Sequence, residues 1–228
     1  MEIVKNIVMK DLSLIYKDHL IIGDLHIGLE EALNKQGILI PRFQFKELMQ
    51  RLKSILLKKI KVIVINGDLK HEFGIISEQE WRHTLQILDL FLENNRKVIL
   101  VKGNHDSILG PIAEKRNLEI VDKYEIDDIT IIHGDKIEKI NTKILIIGHE
   151  HPAITIKDEI RTETYKCFLK GKYKNKTLIV MPSFSLVKPG SNILADKLLS
   201  PYIKNIGSFE IFIVEDKIYN FGRVKGLF

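Results

Sequence analysis

The chain has one cysteine, Cys167, so it can hold neither an internal disulfide nor a cysteine-rich zinc module. No apolar run approaches the ~18 residues that a membrane-spanning helix needs. Charges at Glu2, Lys5, Lys10 and Asp11 interrupt the N-terminus and leave no apolar core for a signal peptide. There is no linker rich in proline, glycine or serine, no low-complexity segment and no internal repeat. Alanine and glutamine are scarce, while isoleucine and lysine are abundant. These absences lead us to expect one cytoplasmic domain over residues 1–228, without a membrane partner. A chain of this length buries a full core without covalent or metal staples. Its 35 basic and 30 acidic residues leave a formal charge of +5, a mild excess that suits a polyanionic partner without requiring one.

What is present begins with short apolar runs. They are Leu20–Ile22, Val62–Ile65, Val98–Val101, Ile129–Ile132, Ile144–Ile147 and Leu178–Met181. All are rich in β-branched residues and bounded by turn residues, the pattern of strands buried on both faces. Residues 42–59 place Phe45, Leu48, Met49, Leu52, Ile55 and Leu56 at helical spacing. Residues 78–94 repeat that spacing with Trp81, Leu85, Leu88, Phe91 and Leu92, and Ser77 with Glu80 reads as a capping box. The first half thus alternates strand and helix, which predicts parallel pairing with right-handed crossovers. The second half lacks long helical patterns. It reads as successive strands, closing in a hairpin of Phe209–Val214 and Lys217–Phe221 around Glu215-Asp216. The fold class is α/β.

Each of the first five runs ends in the same chemistry. The sequels are Gly23-Asp24-Leu25-His26, Asn66-Gly67-Asp68, Gly103-Asn104-His105-Asp106, His133-Gly134-Asp135 and Gly148-His149-Glu150-His151. In α/β sheets the carboxyl ends of strands are where ligand-binding loops converge. Carboxylate, imidazole and amide oxygen are donors for borderline to hard divalent metals, and no thiolate is among them. Asp24, His26, Asp68, Asn104, His133, His149 and His151 exceed what one tetrahedral ion needs. They suffice for two ions sharing a carboxylate, an arrangement suited to in-line phosphoryl displacement.

In these motifs, all in order over residues 24–151, the sequence resembles the calcineurin-like metallophosphoesterases. The stretches Gly37–Pro41, Gly67–Phe73 and Pro182–Ser185, with Gly28, are similar to the ICC-like phosphoesterases, a subfamily that includes enzymes encoded beside DNA ligases. Gly67–His71 is also similar to the double-strand-break repair nucleases. The resemblance implies a four-layer αββα sandwich of two mixed sheets flanked by helices. It assigns Asp24, His26 and His151 to one ion, Asn104, His133 and His149 to a second, and Asp68 to both, with a hydroxide between the ions as nucleophile. Manganese is the first expectation, with iron, zinc or nickel as alternatives. His105 is the expected general acid, and His71 is expected to contact the phosphoryl group. Asp106 either orients His105 or caps a helix beginning near Ser107.

The function so implied is phosphoester hydrolysis, with a phosphodiester favoured and single-stranded nucleic acid or a nucleotide diester as the substrate class. The runner-up is a phosphomonoesterase, including a protein phosphatase. A reading from another class is a non-catalytic binding scaffold on the same fold. Lys166, Lys170, Lys172, Lys174 and Lys176 share one parity, with Tyr165, Phe168 and Tyr173 interleaved. On an extended chain they would form a track for a phosphate backbone, or else a solvated hairpin. His19 and His83 lie outside the motifs and are expected to face solvent. Trp81 is expected in the core, and Cys167 as an inert buried thiol.

Overall fold

Apolar runs this short can be buried on both faces only if sheets stack, and two sheets are found. The structure is a computed structural model and describes residues 1–40, 44–71, 77–106, 110–116, 118–157 and 160–226. The first sheet runs in sequence order: β1 (Glu2–Val4), β2 (Ile7–Lys10), β3 (Ser13–Tyr16), β4 (His19–Ile22), β5 (Val62–Asn66), β6 (Lys97–Val101) and β7 (Glu119–Val121). Its first four strands are antiparallel, while β4 to β7 are parallel as the alternating pattern required. Helices α1 (Leu29–Lys35) and α2 (Gln44–Ile55) cross from β4 to β5, α3 (Glu78–Leu92) from β5 to β6, and α4 (Gly110–Arg116) from β6 to β7.

The second sheet contains β8 (Tyr124–Ile126), β9 (Ile129–Ile132), β10 (Ile144–Ile147), β11 (Pro152–Lys157), β12 (Thr162–Tyr173), β13 (Lys176–Val180) and β14 (Ser191–Asn192). Its spatial order is β14-β11-β12-β13-β10-β9-β8. A terminal hairpin of β15 (Glu210–Val214) and β16 (Ile218–Arg223) joins it through β12. Strands β9, β10 and β13 are parallel, so this sheet is also mixed.

Alternation along these strands divides the core. Ile131, Ile146, Ile179 and Phe168 join the core that contains the first sheet and its helices. Their neighbours Ile132, Leu145, Ile147, Leu178 and Val180 point the other way, onto Ile193, Tyr202 and Ile203. The expected mixed sheets and flanking helices are therefore present. Among the described residues, however, all four α-helices precede Asn117, and the outer face of the second sheet is covered by irregular chain.

Helix ends follow local chemistry. Ser77 caps α3 by accepting the Glu80 N–H at 3.0 Å. Helix α3 stops at Leu92, two residues short of the expected end, where Asn94 and Asn95 take left-handed backbone angles. Helix α2 ends at Ile55, not residue 59, because the chain turns to bury Ile60. The first two residues expected in α2 lie outside the described residues.

Candidate metal centre

Parallel pairing puts the ends of β4, β5 and β6 at one edge of the first sheet. The ends of β9 and β10 lie at one edge of the second. Backbone bonds lock the loops together: Asp24 N–H donates to Gly67 O (3.1 Å), His26 N–H to Asp68 O (2.9 Å), and Gly148 N–H to His133 O (2.9 Å). The sheets meet where His149 N–H points at the Asp24 carboxylate, 3.2 Å away.

The seven expected ligands come together in two groups. In the first, His151 Nε2 lies 3.1 Å from Asp24 Oδ1 and 3.3 Å from His26 Nε2, which is 3.6 Å from Asp68 Oδ2. In the second, His133 Nε2 lies 2.8 Å from Asn104 Oδ1, 3.1 Å from His149 Nδ1 and 3.5 Å from the same Asp68 Oδ2. Donors around an ion with bonds near ~2.1 Å are about 3.0–3.4 Å apart, so both groups fit a divalent metal.

Backbone conformation also concentrates here. Among the described residues twelve non-glycine residues have positive φ, and five of them are expected ligands: Asp24, His26, Asp68, His149 and His151. Left-handed angles at non-glycine residues are unfavourable, so this strain is held in place by the surrounding structure. Gly67 (φ 78°) allows the closest approach. A Cβ there would sit 2.1 Å from His133 Nδ1.

The electrostatics favour cations. Burial alone would raise the Asp24 carboxyl, but the imidazoles of His151, His133 and His26 hold it below the ordinary carboxylate range. Burial and the nearby Asp24 carboxylate push Asp68 the other way, to about 8. Burial, with His151 beside it, lowers His26 to about 2, and burial with His133 lowers His149 to about 4. Burial thus pushes one carboxyl up and keeps the His26 and His149 rings neutral, so the centre gathers oxygen and nitrogen donors whose burial a divalent cation would offset. His133 Nδ1 is buried with no hydrogen-bond partner among the described residues.

His105 and His71 stand beside this centre. Their rings stack at 5.3 Å, and His105 N–H donates to Asp68 Oδ1 at 2.9 Å. His71 Nδ1 lies 3.5 Å from His26 Nδ1, so it also faces the back of a ligand ring. The ring nitrogens of His26, His71 and His105 form a third compact group.

Asp106 departs from expectation. Its carboxylate accepts Gly103 N–H (3.0 Å) and Leu69 N–H (3.1 Å), stitching two ligand loops together. The His105 ring is oriented instead by the main-chain carbonyl of His71, 2.6 Å from Nδ1. The helix start that Asp106 was expected to cap lies at residues outside those described.

The lysines do not form one track. Lys166 is directed inward, donating to the carbonyl oxygens of Ser183 (2.7 Å) and Ser185. Lys170 pairs with Glu210 at 3.0 Å, and Lys176 donates to Thr142 O at 2.6 Å. Lys172 and Lys174 are exposed, but Phe168 and Tyr173 are buried. Parity put the lysines on one face, but that face of β12 packs between the sheets at Lys166 and Phe168.

Two histidines also differ from expectation. His19 is buried against Asp18 and Tyr124, and His83 is half-buried and stacked on Phe45 at 3.6 Å. Trp81 packs against the core while only partly buried, and Cys167 is fully buried with its thiol pKa raised by that burial.

Sequence reading missed several supporting residues. Fully buried Lys70 donates to His105 O at 2.8 Å. Glu80 accepts the His71 N–H at 2.9 Å. Glu150, between two ligand histidines, accepts the N–H groups of Leu199 (2.9 Å) and Ser200 (2.8 Å). Ser183 Oγ and Ser185 N–H both donate to Asp24 O, at 2.8 and 3.1 Å. The Gly67–Phe73 and Pro182–Ser185 stretches, the placement of Glu150 and the capping-box position of Glu80 drew attention to these residues without revealing their partners.

The chain belongs to the calcineurin-like phosphoesterase family, which matches residues 19–207. It is therefore of a class of metal-dependent phosphoesterases, and its clustered donors are those such a class uses for divalent ions. It is similar to the DNA polymerase II small subunit of Archaeoglobus fulgidus, 26% identical over 168 residues. That match spans 61% of this chain but only 34% of the relative. In fold it is similar to the nuclease MPE of Pseudomonas putida, with a TM-score of 0.64 at 17% identity over 92% of each chain. No helix among the described residues is long and apolar enough to cross a membrane.

Proposed function

We propose that the whole chain is one metallophosphoesterase domain that hydrolyses a phosphodiester, with single-stranded nucleic acid or a nucleotide diester as substrate. The observation that carries this reading is the position of Asp68. One oxygen faces both donor groups, and the other holds the backbone of His105. Two divalent ions, manganese first among them, would occupy the two groups; when bound, they activate water and neutralise phosphoryl charge. Asp24, His26 and His151 would hold one, Asn104, His133 and His149 the other, with Asp68 shared.

The chain's own residues do the rest. With Nδ1–H donated to the His71 carbonyl, Nε2 of His105 is the nitrogen that exchanges a proton with substrate. Protonated, it delivers that proton to a departing alkoxide, the need that separates a diester of an ordinary alcohol from an activated ester. His71 is placed to donate to the phosphoryl group from the same side. Asp106, Lys70 and Glu80 act as positioning residues, fixing the loops that carry these two rings. Two related proteins carry the descriptions nuclease and DNA polymerase subunit, which supports nucleic acid as the substrate class.

The test is a manganese-loaded panel of a bis-aryl phosphate, an aryl monophosphate, cyclic nucleotides, and single- and double-stranded DNA. We expect diester cleavage that is lost in Asp68→Asn, and cleavage of DNA and cyclic nucleotides that is lost in His105→Ala. Turnover of the monoester alone would make the protein a phosphomonoesterase. A metal-loaded protein inert on every ester would leave the scaffold reading.

A further inference from the structure

Strand β12 reaches the metal centre through one side chain. Lys166 turns inward from it and donates to two main-chain carbonyls, Ser183 O at 2.7 Å and Ser185 O. The turn so held grips the first ligand loop with three consecutive residues. Ser183 Oγ donates to Asp24 O at 2.8 Å, Phe184 N–H to Gly23 O at 3.0 Å, and Ser185 N–H to Asp24 O at 3.1 Å. Lys166 is also in register with Ala153 of β11, two residues beyond His151. Strand β12 thus backs both Asp24 and His151, whose donor atoms lie 3.1 Å apart.

The backbone of Asp24 requires such a grip. Its φ of 53° is left-handed, a conformation that persists only where surrounding bonds hold it. An ammonium suits the task, because it offers three donors and its charge strengthens each bond. Burial and the neighbouring Arg51 guanidinium lower Lys166 to about 7, so these bonds are made against a desolvation cost. Removing the ammonium would leave the two carbonyls short of a donor, and the turn would shift with Asp24 attached to it. None of these bonds involves Asn104, His133 or His149, so the effect falls on one donor group.

We propose that Lys166 is a positioning residue for the ion of the first donor group, acting through Ser183 and Ser185 on Asp24. The proposal rests on the assignment of Asp24, His26 and His151 to that ion, but it concerns ion affinity and requires no turnover.

Cadmium-113 NMR of the cadmium-loaded protein counts the occupied sites, and cadmium titration gives their affinities. The wild type should show two signals, with His151→Ala identifying the first and His149→Ala the second. Lys166→Met, similar in length but without a donor, should weaken the first site roughly 10–100-fold and the second much less. Ser183→Ala, which removes one bond to Asp24 and leaves the ammonium, should weaken the same site by a smaller factor. Lys166→Gln, a shorter donor, serves if the methionine variant does not fold, and is judged by the same signals. Unchanged affinity at both sites, or equal weakening of both, overturns the proposal. Loss of the native circular dichroism spectrum in both lysine variants would make Lys166 a general support and overturn it too. A wild type with one signal, lost in His151→Ala and weakened in Lys166→Met, would sink the two-ion reading and leave the proposal standing. A wild type with no cadmium signal would overturn both.

Discussion

Nδ1 of His105 is bonded to the main-chain carbonyl oxygen of His71, 2.6 Å away. A carbonyl only accepts, so this bond fixes the tautomer of one ring through the backbone of the other. The His71 N–H is itself held by Glu80 and by Ile27 O. The side chain of His71 can therefore be removed without removing the anchor of His105.

That separation gives the first prediction. His105→Ala should lower kcat by about 10²–10⁴-fold on diesters with alkoxide leaving groups, and much less on nitrophenyl esters that need no proton. His71→Ala should lower kcat about 10²-fold for both ester types, because it acts on phosphoryl charge. Metal content, measured by atomic absorption, should be unchanged in both. A His71→Ala enzyme with wild-type kcat would remove His71 from the reaction.

The second concerns protons. Burial and Asp24 hold the Asp68 carboxyl at about 8 in the metal-free protein. Near pH 7 the carboxylate pair thus retains about one proton, which metal binding must expel. Calorimetry in buffers of different ionisation enthalpy should detect that proton, and apparent affinity should rise from about pH 6 to 8. Asp68→Asn should abolish the release. The folded state binds the extra proton, so this group's contribution to metal-free stability falls as pH rises from about 4 towards 8.

Gly67→Ala is the third. The new Cβ would lie 2.1 Å from His133 Nδ1, at a φ of 78° that side chains rarely adopt. We expect a loss of about 2–4 kcal/mol in urea denaturation of the metal-free protein, with weakened metal affinity. Gly37→Ala is the control. Its φ is 84°, but nothing among the described residues lies within 4 Å of the added carbon, so it should lose only about 1–2 kcal/mol.

The fourth follows from His83, whose pKa is lowered by burial and by Arg82. Below the ordinary histidine value of about 6.5 the unfolded chain takes up a proton that the folded ring resists. This contribution to stability is complete above that pH and is lost as pH falls through the window down to the folded pKa. Denaturation of metal-free wild type and His83→Gln at pH 7 and pH 5 should show a smaller acid loss in the variant. Equal losses would mean that His83 titrates as it does in the unfolded chain.

Much of the site was legible because its signals are local. Glycine beside Asp, Asn or His at the end of a β-branched run marks a tight turn carrying donors, and five such turns in order name the candidate ligands. The supporting residues were not legible. Nothing in the neighbours of Lys70 or Lys166 says that an ammonium will be buried against carbonyl oxygens. Asp106 reads equally as a cap or as a partner of His105. Its two bonds to Leu69 and Gly103 exist only because β5 and β6 are adjacent.

The sequence by itself determined the strands, the parallel first half and the donor residues, because periodicity and turn chemistry act over a few neighbouring positions. Tertiary structure decided what those positions could not encode. It decided which oxygen of Asp68 faces both donor groups, that Lys166 points inward, and that Phe45 and His83 stack. These relations join residues 17 to 65 positions apart in the chain, and stacked sheets and crossing helices set their distances. The grip of Lys166 and the Ser183–Ser185 turn on Asp24 is therefore a product of packing, although every residue in it can be read in the sequence.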